Sequence, residues 1–163
     1  MYAQLHPLRE KAMFRLLALL SLSMALAWGP AAASDRGSRE EAVAMVKRVE
    51  AMFQKDGPDV TFKAVTGQDG AFHDRDLYPF VYTLDGVCVA HGANPALVGK
   101  NLIDLKDQNG KFLIRELAAA AKNPGAGWVD YKWPNPTTKL IEAKSSYVER
   151  MGEYFVGVGV YQQ

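Results

Sequence analysis

The sequence predicts an α+β domain, and three observations carry that class. A capped amphipathic helix comes first, an aromatic and β-branched hairpin follows, and a second helix leads into three further strand-like segments. With 163 residues the chain has room for one ordinary domain of roughly 150 residues and a short appendage. Apolar residues at 48% and charged residues at 23% suit a packed core and exclude a disordered or collagen-like chain.

The appendage is N-terminal. Arg9, Lys11 and Arg15 precede the apolar run Leu16 to Trp28, and Gly29, Pro30 and Ala31-Ala32-Ala33 follow it. Charged, apolar and small-residue regions in that order form the pattern of a secretory signal. The run is about 13 residues, against about 20 for a membrane span, so cleavage after Ala33 is expected rather than anchoring. Met13 offers a second start that would shorten the signal. Residues 1–33 are therefore read as a signal peptide, residues 34–163 as one domain, and the compartment as the periplasm.

Ser38 and Glu41 are spaced as a capping box, in which each side chain satisfies a free backbone N–H at a helix start. Ala42, Met45, Val46, Val49, Met52 and Phe53 then recur at three- and four-residue steps, which predicts a helix of about 17 residues packed on the domain's own sheet. Asp56-Gly57-Pro58 reads as its stop, and residues 59–76 as a short element and loop. Leu77 to Thr83 and Val87 to His91 flank an Asp-Gly turn and predict a hairpin. Pro79 cannot donate to a ladder, which favours an edge or a bulge for the first strand. Residues 92–110 read as a long loop with a helical turn at Pro95 to Val98, Lys111 to Lys122 as a helix, and Trp128 to Trp133, Leu140 to Arg150 and Tyr154 to Tyr161 as strands.

Several functions are disfavoured by what is missing. The formal charge is +1 with no basic stripe, so nucleic acid is a poor partner. Cys88 stands alone and reads as core, which leaves no disulfide framework. Nucleophile-elbow, helical zinc and phosphate-loop motifs do not occur, a two-histidine metal site would need His73 and His91 to converge, and neither enzyme activity nor a cofactor is expected.

The informative residues lie on the later strands. By strand parity Tyr131 and Trp133 share a face, where phenol and indole can hydrogen-bond a small polar ligand beside an apolar wall; ordinary sheet packing uses the same pair. Lys144 and Ser146 also share a face, as carboxylate capture requires, though a solvated lysine satisfies the same spacing. Gly157 and Gly159 clear volume from one side of the last strand, so a helix or a ligand is expected to approach there.

Together, Leu77-Tyr78-Pro79-Phe80-Val81-Tyr82 with Asp85-Gly86, Ala90-His91-Gly92 with Asn94-Pro95, Leu97 through Leu102, Asp104-Leu105-Lys106-Asp107, and Gly127-Trp128-Val129-Asp130-Tyr131 with Trp133-Pro134-Asn135-Pro136 resemble the single Cache domain family, type 2. The resemblance continues through Lys144 to Arg150 and Val156 to Tyr161, and covers about residues 40–161. It implies a PAS-like five-stranded antiparallel sheet, a long N-terminal helix behind it and a ligand pocket on the other face. Family members are extracytoplasmic sensors, commonly of small carboxylates, joined to chemoreceptor or kinase output modules. It further implies that Tyr82 joins Tyr131 and Trp133 in lining the pocket. Lys144 is the expected anion-binding cation, with His91 and Arg115 as supporting candidates. The chain ends at Gln163 without a second apolar span, so the expectation is an exported binding module that holds a small organic carboxylate and presents it to a membrane signalling or transport partner. The alternative is a structural or interaction module with a vestigial pocket.

Overall fold

A computed structural model of the chain describes residues 35–67 and 70–162; the signal-peptide reading lies outside the described residues. Helix α1 (Arg39–Thr66) starts at the capping box. The Glu41 N–H donates to Ser38 Oγ at 3.2 Å and the Ser38 N–H to the Glu41 carboxylate at 2.7 Å. Its Ala42, Met45, Val46 and Val49 are buried against the sheet.

The expected stop at Gly57 is real but local. Gly57 leaves the helical region with φ 81°, a left-handed value that only glycine adopts cheaply. Pro58 then opens a second helical segment, because its missing N–H is no loss in a first turn. The Thr61 hydroxyl ties the two segments by donating to the Gly57 carbonyl at 2.8 Å. Residues 59–66, expected to belong to a short element and loop, are therefore helical.

Strands β1 (Pro79–Thr83), β2 (Cys88–His91), β3 (Ala126–Pro134), β4 (Ile141–Met151) and β5 (Tyr154–Tyr161) form one antiparallel sheet in the order β2-β1-β5-β4-β3. The β1–β2 turn closes where the Gly86 N–H donates to the Thr83 carbonyl at 3.0 Å, with Gly86 at φ 90°. Contrary to the edge expected from Pro79, β1 lies between β2 and β5. The proline occupies its first position, the one place in an inner strand where a missing donor is tolerated, and the register shift falls later, between Val81 and Tyr82.

Alternation divides the sheet into two cores. Val81, Ala90, Val156, Val158 and Val160 meet α1. Phe80, Tyr82, Cys88, Val129, Tyr131, Val148 and Phe155 face the other way, under Leu113, Ile114 and Leu117 of α2 (Leu113–Lys122). The β2–α2 loop covers both sheet edges as it crosses this second face. Gly99, Lys100 and Leu102 bond the outer side of the β1–β2 hairpin, and the Asp107 carboxylate accepts the Lys132 N–H at 2.9 Å on the outer side of β3. Neither outer strand is left as an open template.

Candidate functional site

The second face holds a cavity between the sheet and α2, lined by Tyr78, Phe80, Tyr82, His91, Leu113, Ile114, Leu117, Tyr131, Trp133 and Lys144. Register explains the grouping, since Tyr131 lies opposite Lys144 and Phe80 opposite His91, and partners across a ladder share a face. The site is nearly filled by its own side chains. Its empty volume is about 230 Å³, but the space open to the centre of a water molecule is only about 10 Å³, room for roughly one water.

Lys144 dominates the electrostatics. It is 1% exposed, and no carboxylate lies within ion-pair distance among the described residues. Its Nζ sits 3.9 Å from the Tyr78 ring centre and 4.6 Å from that of Tyr161, and donates one long hydrogen bond, 3.4 Å, to the Tyr161 hydroxyl. Burial pushes the ammonium well below the usual lysine range, while the negative charge of Asp76 opposes the shift. Asp76 is itself buried. Its Oδ1 accepts the Gly37 N–H at 2.7 Å, whereas Oδ2 has no hydrogen-bond partner among the described residues.

His91 is 2% exposed and neutral: desolvation, then the nearby Lys144 charge, pushes its imidazole down to about 3. The Asn94 N–H donates to Nδ1 at 3.0 Å, which places the imidazole proton on Nε2. Tyr131 shares a hydrogen bond of 2.8 Å with Ser146, and Trp133 packs edge-on against the Tyr131 ring at 6.3 Å. Tyr82 stacks on Phe155 with ring centres 5.7 Å apart. Burial raises the pKa values of Tyr78, Tyr82 and Tyr131, so their hydroxyls stay protonated. The wall thus offers donors from Lys144, His91 Nε2 and Trp133, with the hydrogen-bonded Tyr131–Ser146 pair beside them, and much of its remaining surface is apolar. That combination suits a small anion with a short apolar body.

Of the six residues singled out from sequence, five surround this cavity and one does not. Arg115 projects from the solvent side of α2, 54% exposed, stacked 4.2 Å over the Phe112 ring and ion-paired with Asp104. The stripe of Leu113, Ile114 and Leu117 takes the inward side of that helix, which leaves position 115 outside. Of the helix or ligand expected beside Gly157 and Gly159, the helix is not there. A Cβ at Gly157 would collide with the Phe80 ring, and one at Gly159 with Lys144 Cε and Ser146 Oγ; side chains of neighbouring strands approach there, not a helix. Tyr78 and Tyr161 went unmarked in the sequence, although parity with Phe80 and with Gly157 and Gly159 puts both on this face.

Residues 31–163 match the sequence pattern of the family described as Single Cache domain 2. The chain belongs to that family. Among curated proteins, this Cache domain is 40% identical over 91 residues to the sensor histidine kinase MctS of Rhizobium johnstonii, covering 55% of this chain and 20% of that protein. It is 33% identical over 91 residues to the methyl-accepting chemotaxis protein McpP of Pseudomonas putida, covering 55% of this chain and 17% of that one. The chain thus spans about a fifth or less of these relatives' lengths. Among solved structures, a methyl-accepting chemotaxis protein of Vibrio parahaemolyticus superposes with a TM-score of 0.66 at 26% identity, over 75% of this chain and 86% of that one. A Cache chemosensory domain whose structure concerns carboxylic acid recognition superposes with a TM-score of 0.61 at 25% identity, over 76% and 88% of the two chains. The PAS-like α+β fold and the kinship with sensor domains of chemoreceptors and kinases follow from these matches. Among the described residues no helix is long and apolar enough to cross a membrane.

Proposed function

We propose that this Cache domain is exported to the periplasm, binds a short-chain organic carboxylate under α2, and reports its presence to a membrane signalling or transport partner. The observation that carries the reading is Lys144, an ammonium buried in an aromatic-walled cavity with no carboxylate at ion-pair distance among the described residues. A buried charge in that condition is costly, and a bound anion would relieve the cost. In this reading the carboxylate takes charge-assisted bonds from Lys144 and a bond from His91 Nε2–H, while Tyr82, Tyr131 and Trp133 enclose its apolar end. The relative described through carboxylic acid recognition and the chemoreceptor relatives support the same ligand class and partner. The small free space restricts the ligand to a few heavy atoms and requires α2 or the loop before it to yield on entry.

The same lack of free space favours the second reading, a module whose pocket is vestigial. Thermal unfolding against a panel of carboxylates of increasing chain length separates the two. Binding to the native state alone adds about 2.7 kcal/mol at a hundredfold excess over Kd. Stabilisation by the shorter members supports the sensor reading, and a flat response across the panel rejects it.

A further inference from the structure

The Tyr161 hydroxyl lies behind the cavity wall and joins three groups. It donates to the Pro134 carbonyl at 2.7 Å, lies 3.0 Å from the Tyr78 hydroxyl, and accepts from Lys144 Nζ at 3.4 Å. A phenol has one proton, so donation to Pro134 makes Tyr78 the donor of the pair. Pro134 ends β3, and the next residue opens a second cluster. The Asn135 amide donates to Glu142 Oε2 at 3.0 Å, Thr138 donates to the same carboxylate at 2.6 Å, and Arg36 Nη1 donates to it at 2.8 Å. Arg36 also reaches the Gln162 carbonyl at 3.4 Å, while the Gln162 N–H donates to Ala143 at 2.8 Å. Residues 36 and 162 are the two ends of the described domain, so a continuous bonded path runs from the cavity lysine to the junction of both ends.

We propose that Tyr161 is a positioning residue that couples occupancy of the cavity to that junction. The proposal rests on the carboxylate reading of the site. Lys144 spends only one long bond on Tyr161, which an incoming carboxylate outcompetes. While the ammonium donates to the phenol oxygen, it polarises the hydroxyl and strengthens its donation to Pro134. When the ammonium turns to the ligand, that donation weakens and the end of the β3–β4 hairpin loosens, together with the Glu142 cluster that pins Arg36 and Gln162. Occupancy thereby becomes a change at the ends that lead to any attached module.

Amide hydrogen exchange by NMR, with and without saturating sodium acetate, tests the coupling. In the wild type the Asn135 and Gln162 amides should exchange about three- to tenfold faster with acetate, the equivalent of one net hydrogen bond. In Tyr161→Phe the acceptor that competes for Lys144 is gone, so acetate should bind at least as tightly as to the wild type, and at saturation the acceleration should vanish. Glu142→Gln leaves the cavity intact and breaks the outer cluster, so by reciprocity it should bind acetate as tightly as the wild type or up to about tenfold more tightly, and lose the response at Gln162. A wild-type response persisting in both variants, or wild-type binding without any change at Asn135 and Gln162, overturns the coupling while leaving the carboxylate site standing. Calorimetry showing no acetate binding to the wild type overturns both.

Discussion

Lys144 and His91 occupy one cavity and respond to pH through opposite needs. His91 is held neutral, with its pKa pushed down to about 3 against roughly 6.5 in an unfolded chain. Between those values the unfolded state binds the extra proton, so stability is complete above about pH 6.5 and falls as pH drops. The slope should approach 1.4 kcal/mol per pH unit between about pH 6 and 4.5, before the carboxylates titrate. Urea unfolding of His91→Gln should show this limb flattened, whatever its baseline stability; an unchanged slope would mean that His91 is not the proton acceptor. Lys144 needs its proton to hold an anion, and burial disfavours that proton. Carboxylate binding should therefore weaken as pH rises and that proton is lost, read from calorimetry over a pH series. Binding that is independent of pH would place the anion elsewhere.

At the scale of elements, β5 shows how a strand makes room for a charge. The two glycines facing the cavity let Phe80 and Lys144 lie flat across the sheet. Gly159→Ala should overlap Lys144 and Ser146, lower stability by about 1–3 kcal/mol in denaturant unfolding, and weaken carboxylate binding by displacing the ammonium. Wild-type behaviour of this variant would show that Lys144 is mobile. On α2, Arg115→Gln should leave affinity unchanged and stability within about 0.5 kcal/mol, because an exposed ion pair contributes little. Strand parity and hairpin chemistry made β1 to β5 legible to within about two residues, and parity put Tyr131 with Trp133, and Lys144 with Ser146, on shared faces; that the two pairs meet follows from the β3–β4 register. What was not legible has physical causes. The stop at Gly57 holds, but Pro58 also opens a second helical segment, because its missing N–H is no loss in a first turn. Pro79 favoured an edge or a bulge; it heads an inner strand, and the irregularity of that strand falls between Val81 and Tyr82. The hub at Tyr161 depends on Pro134 and Tyr78, which local periodicity cannot bring together.

For the molecule as a whole, two cores on opposite faces of one sheet assign separate roles. The α1 face is continuous apolar packing, aliphatic and aromatic, whereas the α2 face encloses Lys144, which has no carboxylate at ion-pair distance among the described residues. Export with removal of residues 1–33 is the expectation for the full-length chain, and intact mass of the periplasmic protein checks it; a mature protein beginning at Met1 or Met13 would refute it. The central claim is that Lys144 is the counter-charge of a bound carboxylate. Titration calorimetry of the wild type and Lys144→Met with acetate and propionate, on protein whose unfolding is followed in parallel, tests it most directly. The account predicts an affinity at least about thirtyfold weaker in Lys144→Met, together with ligand-free stability equal to or about 1–3 kcal/mol above the wild type, since an unpaired buried ammonium has been removed. Equal affinity in the two proteins would contradict it.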